Sequence, residues 1–218
     1  MSTTMTLSQL EIVASALEKN NIRAYCVENK EQVVPLLSTL LQEGQTVAVG
    51  GSQTLQECGV MDLLRSGNYA FIDRDEPGLM SEERLERMHQ GLSAKTFLCS
   101  SNAVTQKGEL YNVDGKGNRV SALCFGPEKV ILVVGCNKIV EDLPAAVKRV
   151  KTIAAPLNTR RLNCQTPCAK TGHCLFPDGT MAQGCTSPQR ICVSGVISAF
   201  QREKDRIHVI LVGESLGF

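Results

Sequence analysis

The segment KVILVVG, Lys129 to Gly135, contains an uninterrupted run of apolar, mostly β-branched residues. Such a run is typical of a strand that is buried on both faces of a parallel sheet. After it, Asp142 and Pro144 predict a helix that begins behind the aspartate and extends to about Ile153. A buried strand followed by a helix is the repeating unit of an α/β fold.

Upstream of this strand, helical and extended patterns alternate along the chain. The alternation predicts one α/β domain, residues 1–218, whose mostly parallel sheet is flanked by helices. The predicted helices are Leu7 to Lys19, Val33 to Leu41, Leu55 to Ser66 and Ser81 to about Leu92, and the predicted strands are Arg23 to Val27, TVAVGG at 46–51, YAFID at 69–73 and Thr96 to Ser100.

Three later segments depart from this alternation. ELYNV and RVSALC predict two strands joined by the Gly-rich turn Asp114 to Asn118. These strands would form an inserted β-hairpin beside a ligand-binding pocket at the ends of the parallel strands. Val193 to Phe200 and Arg206 to Gly213 predict a closing pair of strands. Residues 159–192 show no periodicity and predict a long cysteine-rich loop, and loops of such length are usually functional or disordered.

Composition narrows the classes of partner. Lys and Arg (23) nearly balance Asp and Glu (22), and no basic tract is present. Nucleic acids and membranes attract concentrated positive charge, so neither is expected as a partner. No leader-like pattern and no apolar window of membrane-spanning length occurs, so we expect a cytoplasmic protein. The expected partner is therefore a small molecule or another protein, and formation of a homo-oligomer is a further possibility.

Polar loops follow three of the predicted strands. The first, VGGSQT, places glycines and hydroxyls where a strand turns into a helix, which can bring backbone N–H groups to a phosphate or carboxylate. Carboxyl ends of parallel strands meet at one edge of a sheet, so the three loops are expected to converge on a small anionic ligand. The expected ligand-binding residues are Gly50, Gly51, Ser52, Thr54, Asn102, Thr105, Asn137 and Lys138.

A structural reading of the same residues stays open. The two glycines can be a tight turn alone, and Ser52 can be only a helix cap. Asn102 and Asn137 suit turns, and Lys138 suits a solvated surface.

No catalytic residue is assigned. The histidines cannot be combined into a Ser/His/Asp arrangement, because His89 is expected to face solvent, His208 to be structural, and His173 lies in the cysteine-rich loop. Glu57, one turn into the helix after the glycines, has the chemistry of an acid, base or nucleophile. A glutamate on a helix surface is the commoner explanation.

Five of the ten cysteines fall between Asn163 and Cys192. In a reducing cytosol, clustered cysteines indicate metal binding or redox chemistry before they indicate disulfides. Free buried thiols or oxidised pairs are the alternative. The predicted ligands of one metal centre, zinc or an iron–sulfur cluster, are Cys168, Cys174, Cys185 and Cys192, with Cys164 as a substitute. The cysteines expected in the core are Cys26, Cys58, Cys99, Cys124 and Cys136.

The stretches VGGSQTLQECG, the run from Asn102 through Asn158, and TPCAKTGHC with CTSPQRIC together resemble the LUD (lactate-utilisation domain) family. The resemblance covers nearly the whole chain. It implies a fold like those of phosphosugar isomerases and CoA-transferases, and a role in oxidising lactate to pyruvate alongside iron–sulfur partner proteins. It also implies that Gly51, Ser52, Thr54 and Lys138 match positions that contact phosphate and substrate, and it favours the cluster over zinc.

The cysteine segment departs from the family pattern, because LFPDGTMAQG separates Cys174 from Cys185 where relatives have a short spacing. Two hypotheses follow. The first is a lactate-utilisation-type protein that binds a small anionic metabolite, a carboxylate or phosphosugar-like compound, at the converging loops. The alternative is a non-catalytic metal-binding or iron–sulfur electron-carrier protein that acts through the cysteine loop.

Overall fold

The computed structural model describes residues 4–218 and contains one six-stranded sheet in which every pair of neighbours is parallel. This confirms the predicted α/β class. The strand order is β1-β10-β7-β4-β2-β3. The strands are β1 (Arg23–Val27), β2 (Thr46–Val49), β3 (Ala70–Ile72), β4 (Thr96–Cys99), β7 (Lys129–Gly135) and β10 (Ile207–Val212).

Both faces of this sheet are covered because its central strands are apolar on both sides. On β7, Val130 and Leu132 belong to one core cluster, whereas Ile131 and Val133 belong to the other. This is the two-sided burial that a continuous apolar run predicts. The first face is covered by α1 (Leu7–Lys19), α5 (Ser81–Gly91) and α6 (Asn118–Cys124). The second face is covered by α2 (Val33–Leu40), α3 (Gln53–Glu57) and α4 (Val60–Arg65).

A second, four-stranded sheet has the order β8-β5-β6-β9. Its strands are β5 (Ala103–Thr105), β6 (Leu110–Asp114), β8 (Ile139–Val140) and β9 (Ser194–Ser198). Ala103 and Tyr111 of this sheet share a core with Ala146 and Val150. Those two residues lie in one helical stretch made of α7 (Leu143–Arg149), a π-helical segment (Val150–Ala154) and α8 (Ala155–Arg161).

The predicted hairpin is wrong in its second strand. Residues 119–124 form helix α6, and β6 instead pairs antiparallel with β5 and β9. The helix forms because Gly117, at a φ of 84°, turns the chain and the Asp114 carboxylate accepts a hydrogen bond from the Val120 N–H, 2.9 Å away. Val120 and Leu123, one helical turn apart, are both buried, whereas a strand would place them on opposite faces.

The predicted closing strand pair is also wrong. β9 lies at the edge of the small sheet, whereas β10 lies between β1 and β7 in the large one. The two strands differ in burial as this placement requires, since β10 is buried throughout and β9 is largely exposed. Helical structure also extends further than expected, through α8 and into α9 (Pro167–Thr171) of the cysteine-rich segment.

The helix predicted for 55–66 is divided at Gly59, whose φ of 72° ends α3 and begins α4. None of the helices within residues 4–218 combines the length and apolar character that a bilayer crossing requires.

The contact of α1 with the turn between β5 and β6 yields a test of the fold. A Cβ on Gly108, which has a φ of 79°, would lie 2.5 Å from the Ala16 carbonyl carbon and 2.6 Å from the Leu17 nitrogen. We expect Gly108→Ala to lower the free energy of unfolding by about 1–2 kcal/mol for the positive φ and by about 1–3 kcal/mol more for the backbone clash.

Gly44→Ala is the matched control, because Gly44 has a φ of 74° and open space around its Cβ position. Urea unfolding of the two variants isolates the clash. Equal losses would show that α1 does not press against this turn.

Candidate functional site

The carboxyl ends of the parallel strands open into a cavity of about 380 Å³. The loop after β2 contributes Gly51 to Thr54, the loop after β4 contributes Ser100 to Asn102, and the residues after β7 contribute Lys138. Arg74, shortly after β3, and Arg161, from α8, complete the wall on the outer side. The strand-end loops therefore converge, as parallel topology predicts.

Five of the expected ligand-binding residues line this cavity, and three do not. Those on its surface are Gly51, Ser52, Thr54, Asn102 and Lys138, and those away from it are Gly50, Thr105 and Asn137. Their roles in ligand binding stay predictions.

The three residues away from the cavity shape the chain around it. Gly50 makes room for Arg119, whose Cδ would lie 3.2 Å from a Cβ at this position. The Thr105 hydroxyl donates to the Glu109 carboxylate at 2.8 Å within the β5–β6 turn. The Asn137 amide accepts from the Leu216 N–H and donates to the Gly217 carbonyl oxygen.

Ser52 does what the structural reading predicts, since its hydroxyl accepts from the Leu55 N–H at 3.3 Å and caps α3. Asn102 is also engaged in the structure, because its side-chain oxygen accepts from the Val113 N–H and from Arg119. Glu57 accepts from the Gly217 N–H at 2.8 Å and does not line the cavity.

Arg119, from α6, forms the floor of the cavity, and its guanidinium donates hydrogen bonds to other residues of the protein. Its guanidinium donates to the Ser100 carbonyl at 2.9 Å, to the side-chain oxygens of Asn102 and Asn112, and to the Asp114 carboxylate at 2.8 Å. Only 11% of either the Arg119 or the Asp114 side chain is exposed. The pair is therefore a buried, hydrogen-bonded ion pair that holds the loops after β4 and β6 together.

Arg74 and Arg161 converge on the glycine turn. Their terminal nitrogens lie 2.6 Å and 3.9 Å from the point where a Cβ on Gly51 would stand. Arg74 is 13% exposed, and its Nε lies 3.5 Å from the Asp75 carboxylate but donates no hydrogen bond to any of residues 4–218. Burial lowers the pKa of this guanidinium. Arg161 donates to the Asn158 side-chain oxygen, a neutral partner.

Lys138 lies at the deep end of the cavity and is 2% exposed. Its Nζ donates to the Thr54 hydroxyl at 2.7 Å and to the Ser100 hydroxyl at 2.9 Å. Burial, together with the positive charges of Arg149 and Arg119, lowers the pKa of this amine to about 7. A buried amine with such a pKa, in a cleft with other polar groups, is a functional candidate.

The cavity carries an excess of positive charge. Within residues 4–218 its wall includes the basic side chains of Arg74, Arg84, Lys116, Arg119, Lys138 and Arg161 and one acidic side chain, that of Asp114. Asp114 pairs with Arg119, and Asp75, outside the wall, pairs with Arg84 and also lies 3.5 Å from the Arg74 Nε. The remaining cations have no carboxylate of their own in the wall, so the field inside favours an anion.

Four arginines in the cavity wall, Arg74, Arg84, Arg119 and Arg161, were not predicted from the sequence. Arg74 follows the end of a strand, so the rule that identified the loops after β2, β4 and β7 could also have identified this residue. Arg119 was placed in a strand, and Arg161 lies in a helix that the sequence did not predict. His208 is structural as expected, since it stacks on Tyr25 and bonds to the Asp205 carbonyl oxygen.

All ten cysteines are free thiols. Cys58, Cys99 and Cys136 are buried and Cys26 packs against the core, as expected, whereas Cys124 is exposed because it ends α6 at the surface. Of the thiols in the cysteine-rich segment, Cys168 contacts the Thr159 and Thr166 hydroxyls, and Cys192 accepts from Arg190 at 3.3 Å. Cys164 alone of them borders the cavity.

Within residues 4–218, no three His, Cys, Asp or Glu side chains are grouped so that they could hold a metal ion. Cys168, Cys174, Cys185 and Cys192 as placed therefore do not fit a single ion or cluster, and no function is derived through one. The metal centre stays a prediction.

Comparisons with known proteins bear on the family. A family profile described as LUD domain matches residues 10–212. A solved structure of a DUF162 family protein from Deinococcus radiodurans shares 15% identity over 96% of this chain and 99% of that one, with a TM-score of 0.49. eIF2B beta from Chaetomium thermophilum shares 17% identity over 55% of this chain and 42% of that one, with a TM-score of 0.36. No curated protein matches.

Metal analysis of protein purified without oxygen tests the predicted centre. The sequence-based prediction requires a stoichiometric metal that is lost in the double variant Cys168→Ser, Cys174→Ser, because thiolates are the ligands of zinc and iron–sulfur sites. The matched control is Cys124→Ser, at an exposed thiol outside the segment. Metal-free protein that is folded and resists chelators would contradict the prediction.

The buried amine predicts how stability depends on pH. In the unfolded chain Lys138 keeps its ordinary pKa of 10.5, so between about pH 7 and pH 10 the unfolded chain binds a proton that the folded chain does not. Stability should therefore rise with pH above 7, by at most about 1.4 kcal/mol per pH unit for this group. We expect Lys138→Met to remove that slope in urea unfolding between pH 7 and about pH 9.

The measurement stops at about pH 9 because the Cys58 and Cys99 thiols act on stability in the opposite direction at higher pH. Burial raises the pKa of both thiols to about 12, so at alkaline pH the unfolded chain loses thiol protons that the folded chain keeps. Lys170→Met, at an exposed lysine, is the control and should keep the slope of the wild type. The same slope in all three proteins would refute the assignment to Lys138.

Proposed function

This chain belongs to the LUD domain family, and we propose that it binds a small anionic metabolite, a carboxylate or a phosphate ester of lactate or other organic-acid metabolism, in the cavity at the strand ends. The proposal assigns the anionic group of the ligand to the outer end, at Gly51, and the rest of the ligand to the deep end, at Lys138.

One observation carries the proposal. The guanidinium groups of Arg74 and Arg161 approach the same glycine, and within residues 4–218 the one carboxylate paired with either of them is Asp75, 3.5 Å from the Arg74 Nε. Two like charges brought together in a partly buried place are destabilising unless an anion separates them. The missing side chain at Gly51 leaves the space for that anion, and guanidinium groups match the planar geometry of carboxylate and phosphate oxygens.

Size and polarity support the same ligand class. A cavity of about 380 Å³ lies at the small end of the range for metabolite sites. Its deep end offers Lys138 with the hydroxyls of Thr54 and Ser100, which suit an oxygen-bearing carbon chain. Lactate and pyruvate, which the family relationship suggests, are small carboxylates that meet these requirements. Iron–sulfur proteins as redox partners are part of this proposal.

Arg74→Met separates ligand binding from stability. Removing a charge-assisted contact with the anion costs about 1.5–3 kcal/mol, so we expect affinity for the anion to fall about ten- to hundred-fold. The same change removes a buried charge that is poorly paired, and methionine replaces the apolar stem of the arginine with a flexible apolar side chain, so the free energy of unfolding should be unchanged or higher.

Calorimetric titration with lactate, pyruvate and glycerol 3-phosphate in a buffer of low ionic strength measures the affinities, and urea unfolding measures the stabilities. Arg202→Met, at an exposed position away from the cavity, is the matched control and should bind as the wild type does. Added salt should weaken binding, because exposed charges such as Arg161 are screened. If none of these anions binds, or if Arg74→Met binds them normally, the proposal is wrong.

A further inference from the structure

The geometry points to Lys138 as a residue that binds its ligand covalently: its Nζ forms an imine with the carbonyl carbon of a small anionic oxo compound, an oxo acid or an oxo phosphate. This inference rests on the proposed function, because the anion holds the ligand in the cavity. It adds the chemical class of the ligand and a bond that an anion site alone does not need.

The hydrogen bonds of Lys138 suit a neutral amine. The Thr54 hydroxyl donates to the Leu216 carbonyl oxygen at 3.3 Å, and the Ser100 hydroxyl donates to the Ser101 carbonyl oxygen at 3.5 Å. Both hydroxyls are therefore free to act as acceptors for Nζ, which donates to each. These two bonds use both N–H groups of a neutral amine, whereas an ammonium group would carry a third.

The third position of Nζ has no hydrogen-bond partner among residues 4–218, and the side chain is 98% removed from solvent. A buried ammonium with an unused N–H would be costly, whereas a neutral amine has its lone pair there. Lys138 lies in the cavity wall, which places this amine beside a ligand bound in the cavity.

The charges around Lys138 support the neutral form. Arg149 and Arg119 act on it from α7 and α6 and disfavour its protonation, and they outweigh Glu57, which favours it. Arg149 itself is fixed by bonds from its guanidinium to the Asn137 and Asn102 carbonyl oxygens. An unprotonated amine near neutral pH is the form that attacks a carbonyl carbon.

The covalent step balances without a further reactant. The Nζ lone pair forms the N–C bond, and the carbonyl oxygen takes up two protons that the amine loses. The C–O bond then breaks, and one water molecule leaves as the C=N bond forms. The Ser100 and Thr54 hydroxyls, both hydrogen-bonded to Nζ, are placed to pass these protons from nitrogen to oxygen.

Borohydride trapping tests this step on the full chain. Pyruvate represents the oxo acids and dihydroxyacetone phosphate the oxo phosphates, while lactate and glycerol 3-phosphate lack the carbonyl. We expect a mass increase of one reduced probe per chain with at least one oxo probe, located on the Lys138 peptide. The two probes without a carbonyl should give no increase.

Lys138→Arg is the matched variant, because arginine keeps the positive charge and hydrogen-bond donors but cannot form the imine. It should lose the adduct. If the variant does not fold, peptide mapping of the wild type decides, since an adduct on Lys138 supports the inference and one on Lys116 or surface lysines overturns it.

Calorimetry under the same conditions separates the two proposals. Binding of an oxo probe without an adduct on Lys138 overturns the imine and leaves the anion site intact. Absence of binding by all four probes overturns the anion site and the imine together.

Discussion

The buried ion pair of Arg119 and Asp114 is the interaction on which the candidate site depends. It joins α6, the loop after β4 and the end of β6, so one guanidinium connects the large sheet to the small one. A buried charge is tolerated only when it is paired and fully hydrogen-bonded, and the five N–H donors of Arg119 all find acceptors. Gly50 belongs to the same arrangement, since any larger residue would press on the arginine and on Cys99.

Because Arg119 is neutralised by Asp114, it adds no net charge to the cavity. Arg74 and Arg161 share no carboxylate in the wall, whereas the hydrogen bonds of Lys138 go to hydroxyls and suit a neutral amine. The floor is therefore a paired arginine that gives the cavity its shape, and the positive charge of the cavity lies at the outer arginines. Structural ion pairs and ligand-binding cations often look alike in a sequence, and only their partners distinguish them.

The sequence determined the large sheet well because its signals are local and redundant. The run at β7 and the turn at Gly50 and Gly51 each predict their element from a few neighbouring residues. The failures involve long-range partners. RVSALC becomes a helix because of Asp114 and Gly117, and Val193 to Phe200 pairs with β6 instead of β10. Arg119 was missed because the helix that contains it was not predicted. For Lys138 and Asn137, a position after a strand could not show which of the two side chains points into the cavity.

Cationic side chains hold the cysteine-rich segment through its backbone carbonyls. Arg190 donates to the carbonyl oxygens of Ala182, Cys185 and Cys192, and Gly184 leaves room for its guanidinium. Lys151 and Arg160 likewise donate to carbonyl oxygens of the segment.

These bonds involve no link between thiols, and two residues of the segment, Cys164 and Ile191, lie in the cavity wall. The Ile191 Cα lies 3.1 Å from the point where a Cβ on Gly115 would stand, so the segment packs against the turn that carries Lys116. A change at the cysteines that moved either residue would alter the shape of the cavity. The two hypotheses for this chain, anion binding in the cavity and metal binding or electron transfer at the cysteines, are both predictions, and they concern neighbouring parts of one structure.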